Sequence, residues 1–156
     1  MIIRKATESD IDQLLELLSQ VLELHARIRP DVFIPGTVKY PRNELEKMVG
    51  DGLHLIYVAC EGDTVIGYAF CDVRAPVLPS MKPIKKFFID DFCVRDGYQR
   101  QHVGTTIFEH LKKEANRFGC ESITLSCWEG NDVARSFYEH MGMTPRTTTM
   151  ELYVKE

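Results

Sequence analysis

The sequence predicts an α/β protein: an α+β mixed sheet with helices on both faces. Three observations predict it. Short β-branched and aromatic runs recur along the chain, two long stretches repeat their apolar residues at helical spacing, and strands and helices alternate in the second half. The predicted order is strand, two helices, three strands, helix, strand, helix, strand.

Taken in turn, "MIIRKA" reads as the first strand. "TESD" supplies Thr7, Ser9 or Asp10 as cap for a helix over "IDQLLELLSQVLELH", whose Ile11, Leu14, Leu15, Leu18, Val21 and Leu22 form one face. "ARIRPDVFIPGTVKYPRN" holds three prolines and a glycine, the composition of a long irregular connection, and such connections serve as binding lids as well as spacers. A short helix near Asn43 to Val49 follows. "LHLIYVAC" and "VIGYAFCDV" flank the turn signal "EGDT" and predict an antiparallel hairpin; "RAPVLPSMKP" is a second loop. "KKFFIDDFCV" is a long strand in which strict alternation puts Asp90, Phe92 and Val94 on one face and Asp91 on the other. The helix "VGTTIFEHLKKEANRFG" has a stripe of Val103, Ile107, Leu111, Ala115 and Phe118 and stops at Gly119. "ESITLSCW" is a strand. "NDVARSFYEHMGM" is a shorter helix with Asn131 near its start, Ala134, Phe137, Tyr138 and Met141 on one face and Gly142 at its end; "TTTMELYVKE" predicts a closing strand.

The 156 residues fit one domain, 1–156, with no repeat, linker or low-complexity tract to divide them. A net charge of -4 and the lack of a basic block exclude a general nucleic-acid binder, because nothing would displace counterions from a phosphate backbone. No apolar run approaches a membrane span and the first residues have no signal-peptide pattern, so a soluble, cytoplasmic protein without membrane partners is expected. Five cysteines without CxxC spacing read as reduced thiols, mostly buried. Five scattered histidines without ligand spacing predict no metal.

Between the strand ending at Val94 and the helix beginning near Val103 lies "YQRQHVGTTI". The first amides of a helix lack internal partners and the helix dipole adds partial positive charge, so amides converging there suit an anion such as a diphosphate. Gly104 offers no side chain to fend off a phosphate oxygen. The chain has no GxGxxG after a strand and no GxxxxGK[ST], which argues against dinucleotide and nucleoside triphosphate sites.

Taken together, "IDDFCV", "YQRQHVGTTIFEHLKKEA", "SITLSCW" and "NDVARSFYEHMGM" resemble the GCN5-related N-acetyltransferase (GNAT) family, over about the whole chain and most specifically from Phe87 to Met143. The family's phosphate-cradling pattern falls on Gln99, His102 and Gly104, and its later pattern on Asn131, Ala134, Phe137, Tyr138, Gly142 and Met143. His102 departs from it, standing where the family usually has glycine.

The resemblance implies a central mixed, mostly antiparallel sheet and direct transfer of the acetyl group of acetyl-CoA to a primary amine of a small molecule or peptide in a ternary complex. It implies the Val94 N–H as donor to the thioester oxygen, with Phe92, Cys93 and Val94 pairing with the pantetheine arm. Loop amides of Gln99, Arg100, Gln101, His102, Val103, Gly104 and Thr105 would hold the diphosphate, with Asn131, Ala134, Phe137 and Tyr138 along the arm and Arg135 as a candidate for the 3′-phosphate. Tyr138 would protonate the leaving thiolate, and Asp90 is the candidate base, ahead of Asp91. An alternative is a non-catalytic acyl-CoA-binding sensor or assembly module of the same fold. The Asp90–Asp91 pair points to a cationic acceptor, Arg27 and Arg29 to an anionic one; the closing strand either completes the chain's own sheet or pairs across a homodimer.

Overall fold

The computed structural model describes residues 1–155, which fall into two compact units, 1–126 and 127–155. The first holds a five-stranded sheet in the order β1-β2-β3-β4-β5. The strands are β1 (Ile2–Lys5), β2 (Leu55–Glu61), β3 (Thr64–Arg74), β4 (Lys86–Val94) and β5 (Ser122–Leu125). All neighbours run antiparallel except β4 and β5, a parallel pair joined through a helix, since a parallel partner cannot be reached by a tight turn. The predicted hairpin is there: β2 turns into β3 through Gly62, whose φ of 59° is the left-handed conformation glycine supplies without cost.

Helix α1 (Ile11–Ile28) runs three residues past the expected end, and α2 (Arg42–Gly50) follows the proline-rich connection. Asp10 starts α1 as a buried carboxylate held by Arg4 through two bonds of 2.7 and 2.9 Å and by the Thr7 amide at 2.8 Å. Arg4 first, and then Thr7, hold its carboxyl below the usual range against the cost of burial. Leu14, Leu17 and Leu18 of α1 and Leu45 of α2 pack with Ile56, Val58, Tyr68, Phe70 and Cys93 on one face of the sheet.

The opposite face carries α3 (Val103–Arg117), where Val103, Ile107, Leu111 and Ala115 of the expected stripe are buried together with Phe108, which lay outside it, while Phe118 caps the helix. Gly119 comes next with φ 70°, and Cys120 N–H returns to the Ala115 carbonyl at 2.9 Å, closing the helix as the glycine foretold. Gly67 sets how closely α3 approaches. A Cβ there would stand 2.8 Å from Ile107 Cδ1 and 2.9 Å from the Cys93 carbonyl oxygen. Farther along, the Tyr57 hydroxyl reaches through to Glu114 Oε2 at 2.6 Å.

The second unit contains α4 (Asp132–His140), started by the Asn131 side chain accepting from Ala134 N–H at 3.3 Å and stopped at Gly142, φ 94°. Its expected face, Ala134, Phe137, Tyr138 and Met141, is half-buried, while Asp132, Val133 and Arg135 are exposed. The closing strand expected over "TTTMELYVKE" does not form among the described residues. Met150, Leu152 and Val154 are 85 to 87% exposed, and without a ladder partner alternation alone cannot hold a strand. Four cysteines are buried thiols and Cys127 is exposed.

Gly67→Ala is expected to destabilise the protein by about 1 to 3 kcal/mol, because the added methyl meets backbone as well as side chain. Denaturant titration read by circular dichroism checks it, and a loss below about 0.5 kcal/mol would show that α3 can give way.

Candidate active site

β4 breaks its register at one point. Phe70 pairs with Asp91 but Cys71 pairs with Ile89, so Asp90 is an extra residue in the strand, a β-bulge. This corrects the expected alternation. The bulge turns Asp90 to the α1 side, and both aspartates now reach one ammonium: Lys39 Nζ lies 3.2 Å from Asp90 Oδ2 and 3.8 Å from Asp91 Oδ2. Lys39 Nζ also donates to the Asp90 carbonyl at 3.2 Å. The Tyr40 hydroxyl donates to Asp90 Oδ2, with its ring stacked on Phe70, and the Tyr68 hydroxyl donates to Asp91 Oδ1 at 3.1 Å.

The two carboxylates differ in setting. Asp90 is a quarter exposed, whereas Asp91 is buried, and burial pushes the Asp91 carboxyl up to about 6 although Lys39 and Tyr68 pull it down. Burial, with Asp90 beside it, drives the Tyr40 hydroxyl well above its ordinary value, so Tyr40 stays a donor. Lys39 and Tyr40 were not singled out in the sequence. Their only signal was their place, a Lys-Tyr pair just before the last proline of the long connection.

Beyond Asp90 the edge of β4 changes character. The ladder with β5 ends at Ile89↔Leu125, and β4 runs on to Val94. Arg95 N–H donates to the Ile66 carbonyl at 2.8 Å, which makes Ile66 and Arg95 the bonded kind of antiparallel pair; alternation then turns the Val94 N–H away from β3, toward the side of β5. Gln20 of α1, unnoticed in the sequence, fixes this strand end: its Nε2 donates to the Val94 carbonyl at 3.0 Å and its Oε1 accepts from Asp96 N–H at 3.0 Å. A glutamine three residues after buried Leu17, within the apolar stripe of α1, was the available signal.

The loop from Asp96 to His102 then supplies amides. Arg100 and His102 have φ of 61° and 62°, the left-handed region, and His102 occupies the position before α3 where the family pattern has glycine. Such residues cost roughly 1 to 2 kcal/mol each and gather at functional sites. Among the described residues, none of the seven main-chain amides from Gln99 to Thr105 donates a hydrogen bond to protein; the first to do so is Thr106, to His102 at 3.0 Å. Side chains brace the loop from behind, with Gln99 Nε2 on Asp96 Oδ1 and Gln101 Nε2 on the Gly97 carbonyl, both at 3.0 Å. Gly104 is the second residue of α3.

In the second unit, the Tyr138 ring lies 5.4 Å from that of Phe137, and the Tyr138 carbonyl accepts from Met143 N–H at 3.0 Å. Arg135 is engaged by Glu139 at 2.9 Å and Glu129 at 3.2 Å. Among the described residues no three His, Cys, Asp or Glu side chains converge as a metal site, and no helix is long and apolar enough to cross a membrane.

The model of the Acetyltransferase (GNAT) family matches residues 18–143. The BH1408 protein of Bacillus halodurans, in a mutant crystal structure, is similar at TM-score 0.93 and 29% identity, covering 99% of this chain and 100% of that one. Two further structures share the fold: glucosamine-6-phosphate N-acetyltransferase of Arabidopsis thaliana at TM-score 0.69 and 23% identity (99% and 98% covered), and an aminoglycoside acetyltransferase from an uncultured soil sample at 0.71 and 18% (99% and 95% covered). No curated protein sequence matches.

Burial makes Asp91 a pH-dependent liability. A carboxyl raised from 3.8 to about 6 favours the folded state at low pH, and that contribution is lost as pH rises through about 6. Asp91→Asn is therefore expected to gain stability over the parent progressively from pH 4 to pH 7, by at most ~3 kcal/mol. Paired thermal melts across that range check it; a constant difference would contradict the raised value.

Proposed function

The chain belongs to the GNAT family of acetyltransferases, and from that premise we propose that it transfers the acetyl group of acetyl-CoA to a primary amine by direct attack in a ternary complex. The observation that carries this reading is the run of seven amides from Gln99 to Thr105 without protein acceptors. A diphosphate would give them acceptors, and the α3 dipole adds about 0.3 to 1 kcal/mol per interaction. Left-handed Arg100 and His102 fit the same role, since they bend the backbone so that successive amides converge.

When bound, acetyl-CoA supplies an activated acyl carbon, and the rest is the work of this chain. Phe92, Cys93 and Val94 offer the strand edge to the pantetheine arm, and the Val94 N–H donates to the thioester oxygen as charge gathers there; one such donor contributes about 10²- to 10³-fold in rate. Asn131, Ala134 and Phe137 line the arm. An alkylammonium with a pKa near 10.4 must first give up a proton, a penalty of roughly 4 to 5 kcal/mol at pH 7. Asp90 takes that proton, with Asp91, whose carboxyl burial raises to about 6, behind it. The amine nitrogen then bonds to the acyl carbon as the carbon–sulfur bond breaks and its electrons leave with sulfur. Tyr138 protonates the thiolate, the new amide nitrogen sheds its extra proton, and one proton is released overall.

Gly104→Glu would set a carboxylate among the amides. It is expected to weaken acetyl-CoA binding at least tenfold by calorimetry while leaving the affinity for S-acetyl-pantetheine, which lacks the diphosphate, unchanged. Equal losses for both ligands would remove the diphosphate from this loop.

Tyr138→Phe is expected to keep acetyl-CoA affinity and lose at least tenfold in kcat, read as CoA release with an amine panel. Retained binding without acetylation of any amine by the parent would leave the non-catalytic module as the better reading.

A further inference from the structure

The connection between α1 and α2 carries a lysine onto the two carboxylates of β4. Lys39 is an unbranched primary alkylammonium, and its nitrogen is held by both carboxylates of β4 and by the bulge carbonyl, 5.5 Å from the centre of the Tyr40 ring. Its host, Asp90, lies where the β5 ladder has just ended and β4 begins the stretch that leads to Val94. Lys39 itself is 42% exposed and reached through an irregular segment, so its removal costs no packed core.

A cavity of about 180 Å³ opens beside this seat, lined by Tyr40, Phe70, Asp72, Arg74 and Asp90 among others. Its charges are lopsided. Asp72 is taken up by Arg74 at 2.7 Å, and the Arg74 guanidinium also stacks 3.6 Å over Phe88, so neither is available to an acceptor. Among the described residues Lys39 is the basic side chain that forms ion pairs with Asp90 and Asp91; His54, which also lines the cavity, is engaged by Asp51 at 2.6 Å. The cations that suggested an anionic acceptor do not gather here: Arg29 is spent on Asp31 through bonds of 2.9 and 2.8 Å, and Arg27 is exposed on α1.

We propose that the acceptor is a primary alkylammonium whose head group displaces Lys39 from the Asp90–Asp91 seat and whose chain enters the adjoining cavity, Lys39 being the built-in occupant of that seat in the resting protein. The inference rests on the acetyltransferase reading and adds the substrate class. The displaced ammonium and the incoming one make the same bonds, so exchange leaves no buried charge unpaired, whereas an amine bearing a nearby carboxylate would set like charges together.

The test is steady-state acetylation of three probes at saturating acetyl-CoA: 1,4-diaminobutane, glutamate and aniline. The expected result is turnover of the diamine with little of the other two, a KM for the diamine lowered severalfold in Lys39→Ala and close to the parent's in Lys39→Arg, and raised at least tenfold in Asp90→Asn. The KM for acetyl-CoA should stay within twofold in all three variants. Preferential turnover of glutamate or aniline, or a diamine KM that Lys39→Ala does not lower, overturns the inference. Calorimetry with acetyl-CoA separates the levels: binding without diamine turnover sinks this inference alone, while no binding sinks the acetyltransferase reading as well.

Discussion

The site is organised by an interruption in β4 at Asp90. On one side the pairing with β3 takes up an extra residue between Ile89 and Asp91; on the other, the ladder with β5 stops at Ile89. A strand regular on both sides would bury its amides in pairing and send adjacent aspartates to opposite faces. The bulge instead brings two carboxylates to one face, and the end of the ladder leaves β4 to run on toward Val94 beyond its parallel neighbour. The paired carboxylates and the unpaired end of β4 thus meet at one local irregularity.

A second constraint is the way the loop after β4 is held from outside itself. Gln20 ties the end of β4 to α1, and Arg95 reaches the Val65 carbonyl at 2.7 Å and Glu16 at 3.0 Å. With both of these anchors in place, the left-handed Arg100 and His102 can be maintained without glycine, and the amides before and within the first turn of α3 stay presented rather than collapsing onto neighbouring carbonyls.

Most of the fold could be read in the chain because its signals are local. Apolar spacing located α1 and α3, Gly62 and Gly119 marked a turn and a helix stop, and Asn131 marked the start of α4. The bulge was not legible, since the alternation "IDDFCV" is equally compatible with a regular strand; only pairing against Phe70 and Cys71 shows that Asp90 is supernumerary. Lys39, Tyr40 and Gln20 escaped for a related reason, each acting across 50 or more residues of sequence. The tail misled in the other direction: its alternation is a property of the segment, but a strand is a property of a pair.

The parallel ladder between β4 and β5 has a consequence for the order of assembly. The first four strands join by neighbouring hairpins or across α1 and α2, whereas β5 must wait for α3 to cross the sheet and then gains only four residues of pairing. With so short a ladder this edge is held by few bonds of its own, so it draws its stability from α3 packed across the sheet, and its opening is coupled to that of the helix.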